Sequence, residues 1–377
     1  MKRKYLMTPG PSPVPSFVRE ALSREILHHR TDEFRAILKE AHEGLKSVFC
    51  TQNPVLILAS SGTGAMEAAV CNLFSSKDKV IAINGGKFGE RWRDIAKVMD
   101  LDVIEMKIEW GTAPSLQELS KLLDDCKGVK AVLTTLCETS TATTYDVKAM
   151  AALTKEKGAL LVIDAISGLG QDKLLADEWG VDVVVSGSQK GFMLPPGLAF
   201  ISLSKRAQEY MESAKLPKYY FNLKKALKSY EKDDTPYTPA VSLIVALREA
   251  IAYIKEEGIQ KRWDKFQKMA KASQEAVAAL GLKLFSKSPS NSVTAILIPS
   301  GIKATDIVKK MRKEYGISIA AGQDDVKDKI IRIAHMGWIN EQDLMMCFSI
   351  LEKALIDLGY KFKVGSSLAR LQEVLYG

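Results

Sequence analysis

The sequence predicts an α/β fold: a large domain on a mostly parallel sheet, then a smaller α+β domain. Three observations carry this. Short apolar runs such as VLIL, VIAI, LLVI and VDVVV are rich in β-branched residues and bounded by Gly or Ser. Buried parallel strands read this way. These runs alternate with helical patterns, so strand, loop and helix recur through the first half of the chain. After Asp234 the pattern changes. TPYTPAVS is proline-rich, a helical stretch covers about residues 242–280 with Gly258 as a break, and short strands then alternate with helices.

In order, the first twenty residues carry Pro9, Gly10, Pro11, Pro13 and Pro15. They are expected to cross the surface in an extended path without starting a helix. Phe34, Ile37, Leu38, Ala41, Leu45 and Val48 share one face and predict a helix over residues 32–49. PVLILAS reads as a strand running into Gly62 and Gly64, with a helix through AMEAAVCNLF. KVIAIN is a strand ending at Gly85-Gly86, before a helix over 88–99. DVIEMK, SLQELSKLL and AVLTTLCET follow as strand, helix and strand. Beyond Gly281, LKLFS, VTAILIP, ISIAAG and IIRIAH read as strands, with helices over 306–314 and 341–358. The boundary is placed near residue 255. Residues 21–254 form the large domain, and 255–377 the small one, with 1–20 packing against it.

The 377 residues are 46% hydrophobic and 26% charged, enough to build a large core. No apolar run is long enough for a membrane span. The start, MKRKYLMTPGPSPVP, lacks the apolar region of a signal peptide. Cys50, Cys71, Cys126, Cys137 and Cys347 are scattered with no CxxC pair, so neither a disulfide framework nor a zinc site is indicated. The cytoplasm is the expected compartment. His28 and His29 lack ligand spacing and suit packing or capping. A net charge of +8 fits nucleic acid or small anions. No basic arm supports the former. KLPKYYFNLKKALKSYEK, residues 215–232, is read as a solvated segment near a subunit contact rather than a strand-binding surface. Neither nucleic acid nor membrane is an expected partner.

The chemistry concentrates between residues 159 and 200. The LLVI run ends at Asp164, and VDVVV ends in Ser186-Gly187-Ser188-Gln189-Lys190. Ligands of open α/β sheets sit beyond the carboxyl ends of the strands. An acid and a lysine therefore arrive together at that edge. Pyridoxal phosphate needs this pair: a lysine amine to hold its aldehyde and a carboxylate on its ring nitrogen. Taken singly, Asp164 also suits a helix cap and Lys190 a surface position.

Ser60-Ser61-Gly62-Thr63-Gly64 lies between a strand and a helix, where free amides and the macrodipole suit a phosphate. No GKS or GKT follows, so it is not a Walker loop. Gly85-Gly86-Lys87-Phe88-Gly89 offers either a ring for stacking or a tight turn with a core aromatic. Glu138-Thr139-Ser140-Thr141 offers hydroxyls or a capping run. Arg332, among Ile330, Ile331 and Ile333, calls for a carboxylate partner, either internal or a substrate's.

Together these stretches resemble the class V aminotransferases, pyridoxal-phosphate enzymes of fold type I, in the alanine–glyoxylate and serine–glyoxylate (serine–pyruvate) branch. The likeness covers nearly the whole chain: TPGPSPVP, HHRTDEF, SSGTGAMEA, NGGKFGERW, ETSTAT, VIDAISGLG, SGSQKGFMLPPGL, YYFNL, TPYTPAVSL and IIRIAHMG. The resemblance implies that Lys190 holds the cofactor and that Asp164 partners its ring nitrogen. Phe88 and Ile166 would cover the two ring faces, and Thr139 would meet the ring oxygen. Ser61, Gly62, Thr63 and Gln189 would hold the phosphate. Thr238 would reach the phosphate of a neighbouring subunit, implying a homodimer with shared sites. Arg332 would take the substrate carboxylate, and Gly10 would line the substrate pocket. Three departures stand out. Ala142 replaces a common glycine, Ala321 sits in a loop usually richer in glycine, and Thr235 replaces a tyrosine.

The implied activity is ping-pong transfer of an amino group between small amino acids and 2-oxo acids. One arginine suggests alanine or serine as donor, with aspartate or an aminophosphonate as alternatives. Glyoxylate, pyruvate and 2-oxoglutarate are the candidate acceptors. Two rivals are weighed. Cysteine desulfurases of this fold need a late cysteine on a mobile loop, whereas Cys347 lies in a helical pattern. A non-catalytic binding subunit would not require the lysine, acid and arginine together.

Overall fold

The computed structural model describes residues 4–377. Its strands are β1 (Tyr5–Leu6), β2 (Val55–Leu58), β3 (Lys79–Asn84), β4 (Asp102–Lys107), β5 (Val129–Thr135), β6 (Cys137–Glu138), β7 (Thr143–Thr144), β8 (Leu160–Asp164), β9 (Val183–Gly187), β10 (Ala199–Leu203), β11 (Lys283–Leu284), β12 (Val293–Leu297), β13 (Ile317–Ser318), β14 (Ala320–Ala321) and β15 (Ile330–Ala334). Its helices are α1 (Ser16–Leu22), α2 (Asp32–Phe49), α3 (Gly62–Leu73), α4 (Lys87–Val98), α5 (Leu116–Asp125), α6 (Val147–Glu156), α7 (Ala176–Trp179), α8 (Lys205–Ser213), α9 (Leu223–Tyr230), α10 (Val241–Glu257), α11 (Ile259–Ala279), α12 (Ala304–Tyr315), α13 (Glu341–Asp357) and α14 (Ser366–Tyr376).

Seven strands form the large sheet in the order β2-β10-β9-β8-β5-β3-β4. Only β10 runs against the others. The continuous apolar runs have a direct cause. Leu161 and Ile163 of β8 enter one core with α2 and α10, while Leu160 and Val162 enter another with α3 and α8. Both faces are covered, so neither face needs polar residues.

A third core gathers α11, α13 and α14 around a four-stranded sheet ordered β11-β12-β15-β14. Helix α13 opens with a capping box between Asn340 and Asp343. Cys347 is buried on that helix, and burial pushes its thiol well above the usual range. It is therefore neither mobile nor exposed.

The N-terminal segment departs from expectation in two ways. Pro15 caps α1, which begins at Ser16; a proline costs nothing there because the first helical amides have no intrahelical partner. The extended part is also not a surface path. Tyr5 and Leu6 pair in parallel with Ile317 and Ser318, and Met7, Pro9 and Ser12 are buried. The Met7 amide donates to Ser318 O at 2.8 Å, and its carbonyl accepts from the Ala334 amide at 2.9 Å. Five residues on, the Ser12 amide donates to Gln189 O at 2.9 Å and its hydroxyl to Lys190 O at 2.8 Å. The segment is thus a strap from the small sheet to the turn that carries Lys190. The AVLTTLCET run also breaks after Thr135, giving β5 and the short hairpin strand β6.

Candidate active site

The carboxyl ends of β2, β3, β5, β8 and β9 lie on one edge of the large sheet, because these strands are parallel. Asp164 closes β8, and the segments that follow the other strands carry Ser61 to Thr63, Phe88, Thr139 and Lys190.

Lys190 is buried, with 8% of its surface exposed, and its amine donates to Pro9 O. Gly10, at φ +93°, lies against the same side chain: a Cβ there would fall 2.3 Å from Lys190 Cε. Burial lowers the Lys190 amine to about 8, against the attraction of Asp164, which raises it. Burial likewise pushes Asp164 up to about 7, opposed by the Ile166 amide, which donates to Asp164 Oδ1 at 2.7 Å. Glu138 pushes Asp164 further up, while Arg91 and Lys190 pull it down.

Ile166 follows Asp164 and packs on the phosphate turn, where a Cβ on Gly62 would lie 2.3 Å from Ile166 Cδ1. Ser61 caps α3, yet its side chain makes no bond to the helix amides. The caps of α2, α5, α6, α8, α9 and α13 all do. The Gln189 side-chain oxygen is buried without a partner. Thr63 accepts from Arg91 Nη1 at 3.2 Å, and the Arg91 guanidinium lies over the Phe88 ring, 4.9 Å from its centroid.

Glu138 is fully buried and binds the two sides of this arrangement together. Its Oε2 accepts from the Phe88 and Gly89 amides, both at 3.0 Å, at the N-terminus of α4. Its Oε1 accepts from the Ser140 amide at 3.1 Å and from the Ser140 hydroxyl at 2.5 Å. Burial raises its carboxyl, and these donors oppose the rise. Gly86 and Gly89 permit the approach: a Cβ on Gly86 would lie 2.3 Å from Ser140 Oγ, and one on Gly89 2.4 Å from Ile83 O.

Thr139 donates to Ser167 Oγ at 2.6 Å, and its carbonyl accepts from Arg332 Nη1 at 2.9 Å. Arg332 also donates from Nε and Nη2 to Ala321 O, at 3.2 and 2.9 Å. Three of its five N–H groups are used, all on carbonyls, which leaves one on each terminal nitrogen. Among the described residues no ion pair engages it; the carboxylate that acts on its charge is Glu138, whose oxygens are already taken by the Phe88, Gly89 and Ser140 donors.

Of the residues singled out by sequence, Gly10, Ser61, Gly62, Thr63, Phe88, Thr139, Asp164, Ile166, Gln189, Lys190 and Arg332 are linked through these contacts and chain neighbours. Thr238 is not among them. It is exposed and lines an apolar cleft with Leu58, Tyr220, Phe221, Thr235 and Tyr237. Two of the departures have visible consequences. Ala142 holds a positive φ of 59°, the region where glycine is favoured, and Ala321 offers Arg332 its carbonyl. Sequence reading passed over Arg91 and Arg262, and at Glu138-Thr139-Ser140-Thr141 it weighed the hydroxyls and not the carboxylate. The spacing of three between Phe88 and Arg91 could have revealed the first. Arg262 is fully buried on α11 and donates to Gly191 O at 2.9 Å, beside Lys190.

The arrangement fits pyridoxal 5'-phosphate. A helix N-terminus lacks its side-chain cap, a buried carboxylate has a single backbone donor, and a buried lysine has its amine lowered towards neutrality.

Comparison with known proteins agrees. The family model described as aminotransferase class-V matches residues 5–341. A protein of Synechococcus sp. named soluble hydrogenase, small subunit, is 40% identical over 99% of this chain and 98% of its own length. A serine–glyoxylate aminotransferase of Methylorubrum extorquens is 36% identical over 99% of this chain and 96% of its own length. Among solved structures, ureidoglycine–glyoxylate aminotransferase from Bacillus subtilis superposes with a TM-score of 0.95 at 26% identity, covering 100% of this chain and 99% of that one. On its fold, its site and these matches, the chain belongs to the class V aminotransferases and is an aminotransferase of fold type I with pyridoxal 5'-phosphate as cofactor.

Proposed function

We propose that this aminotransferase moves the amino group of a small amino acid, alanine or serine, to glyoxylate or pyruvate. The observation that carries this is Arg332, a buried cation with one free N–H on each terminal nitrogen and, among the described residues, no ion pair. That fork matches a single carboxylate. The two glyoxylate aminotransferases it resembles take different donors with one acceptor by name, which supports glyoxylate first.

Bound pyridoxal 5'-phosphate supplies the electron sink that makes a Cα proton removable. The chain's residues do the rest. Arg332 holds the substrate carboxylate and so aims Cα. Lys190, whose amine burial lowers to about 8, is the base that takes the Cα proton and, once protonated, the acid that would deliver it to the cofactor carbon bearing the amino group and not back to Cα. With the cofactor bound, Asp164 would hold the proton on the ring nitrogen, Phe88 and Ile166 would cover the ring, and Thr139 would bond the ring oxygen. Ser61, Gly62, Thr63 and Gln189 would hold the phosphate, and Gly10 would line the substrate side.

We further infer a homodimer in which Thr238 reaches the partner's phosphate. The exposed Tyr219 and Tyr220 beside its cleft support a subunit contact there. The division into a large domain over 21–254 and a small one over 255–377 goes with this reading. Among the described residues no helix is long and apolar enough to cross a membrane. The five free thiols suit a reducing cytoplasm.

The test is a panel of alanine, serine, aspartate and an aminophosphonate against glyoxylate, pyruvate and 2-oxoglutarate. Parallel double-reciprocal lines with alanine or serine and glyoxylate or pyruvate are expected, with turnover abolished in Lys190→Ala. Turnover confined to aspartate or the aminophosphonate would overturn the assignment.

A further inference from the structure

Arg91 has no place in the function proposed above. It follows Phe88 by three positions on α4, so the two side chains share a face. The guanidinium lies 4.9 Å from the Phe88 ring centroid, and Nη1 donates to Thr63 Oγ1 at 3.2 Å. Among the described residues it forms no ion pair.

The direction of that hydrogen bond matters. A guanidinium only donates, so Thr63 must accept from Arg91, and the hydroxyl's own hydrogen is left to be given elsewhere. Thr63 is the second residue of α3, whose first amides lack a side-chain cap from Ser61. A phosphate has only acceptor oxygens to offer. The orphan amides, the oriented hydroxyl and a positive charge that no ion pair occupies therefore all suit the same anion.

We propose that Arg91 is a positioning residue for the cofactor phosphate. It fixes Thr63 as a donor, adds positive charge beside the turn, and lies across the Phe88 ring so that ring and phosphate sites are set together. This rests on the reading that the cofactor phosphate sits at the N-terminus of α3.

The test is made on protein stripped of cofactor, by titrating pyridoxal 5'-phosphate and, separately, pyridoxal, which has no phosphate. Arg91→Met keeps a stem over Phe88 and removes the donor and the charge. It should weaken pyridoxal 5'-phosphate by about ten- to a hundredfold, the range for a hydrogen bond to a charged group, and pyridoxal by less than about threefold. Adding Thr63→Val to Arg91→Met should cost less than Thr63→Val costs in the parent, because part of what Arg91 does passes through Thr63. Should Arg91→Met not fold, Arg91→Gln must show the same phosphate-selective loss. Equal losses for both ligands, no loss, or full additivity with Thr63→Val would overturn the proposal. If the unaltered protein binds the two ligands equally, the phosphate assignment at α3 itself fails and the proposal falls with it.

Discussion

Arg332 Nη1 donates to the backbone carbonyl of Thr139 at 2.9 Å, joining a strand of the small sheet to the loop that ends β6 of the other half. That bond orients the guanidinium plane while the other nitrogens are held by Ala321 O. Arg332→Lys keeps a charge but offers a compact ammonium in place of a planar fork. We expect KM for the amino donor to rise about ten- to a hundredfold, with a smaller change in kcat, by steady-state kinetics. An unchanged KM would mean the carboxylate is held elsewhere.

The Lys190 and Asp164 charges are coupled, and the coupling has a sign. Asp164 raises the lysine against a burial effect that lowers it to about 8. In the cofactor-free protein Lys190 should titrate near that value. Asp164→Asn removes the attraction, so the midpoint should fall further. NMR titration of isotopically labelled lysine, with Lys190→Ala for assignment, measures both. A midpoint that rises in Asp164→Asn would contradict the arrangement.

Glu138 holds four donors on one buried carboxylate. Glu138→Gln replaces one acceptor oxygen with an amide nitrogen that faces N–H or O–H groups. Leaving buried donors unsatisfied costs about 1–3 kcal/mol each. Urea unfolding should show a loss of that order, with the Phe88 turn loosened. A variant as stable as the parent would show that the carboxylate is not what ties α4 to the Thr139 loop.

His335 is fully buried between Thr294 Oγ1, at 2.9 Å, and Asn291 O, at 2.8 Å. Burial lowers it to about 4, whereas its ordinary value is 6.5. Between those values the unfolded chain binds a proton that the folded one does not, so this residue makes stability rise with pH across that window and fall on acidification. Asp164 contributes with the opposite sign from its ordinary 3.8 up to about 7. Comparing unfolding free energies at pH 4.5 and 7 for the parent and His335→Gln cancels that background. The variant should lose less stability on acidification than the parent does.

Much of this was legible in the residues. LLVID and VVVSGSQK show their strand character because both faces of the sheet are covered, and the polar residues closing them mark the edge where ligands bind. The reversal of β10 was not legible, since an antiparallel strand with both faces buried has the same apolar run. The proline-rich start was misread because burial of an extended segment depends on β13 and β15, which lie more than half the chain away. Arg262 looks solvated among the charges of QKRWDKFQK, and only packing reveals that it bonds Gly191 O and Gly337 O. Arg91 was visible only as a helical neighbour of Phe88; its bond to Thr63 needs the sheet order to bring α3 beside α4.

The strap of residues 7–12 is moored to the small sheet at Met7 and to the lysine turn at Ser12, with Pro9 O on the Lys190 amine between them. One short run of backbone therefore touches the small sheet, the lysine turn and the reactive nitrogen at once, so a substitution that shifts β13 or β15 should be felt at Lys190 even though neither strand contributes a group to its amine.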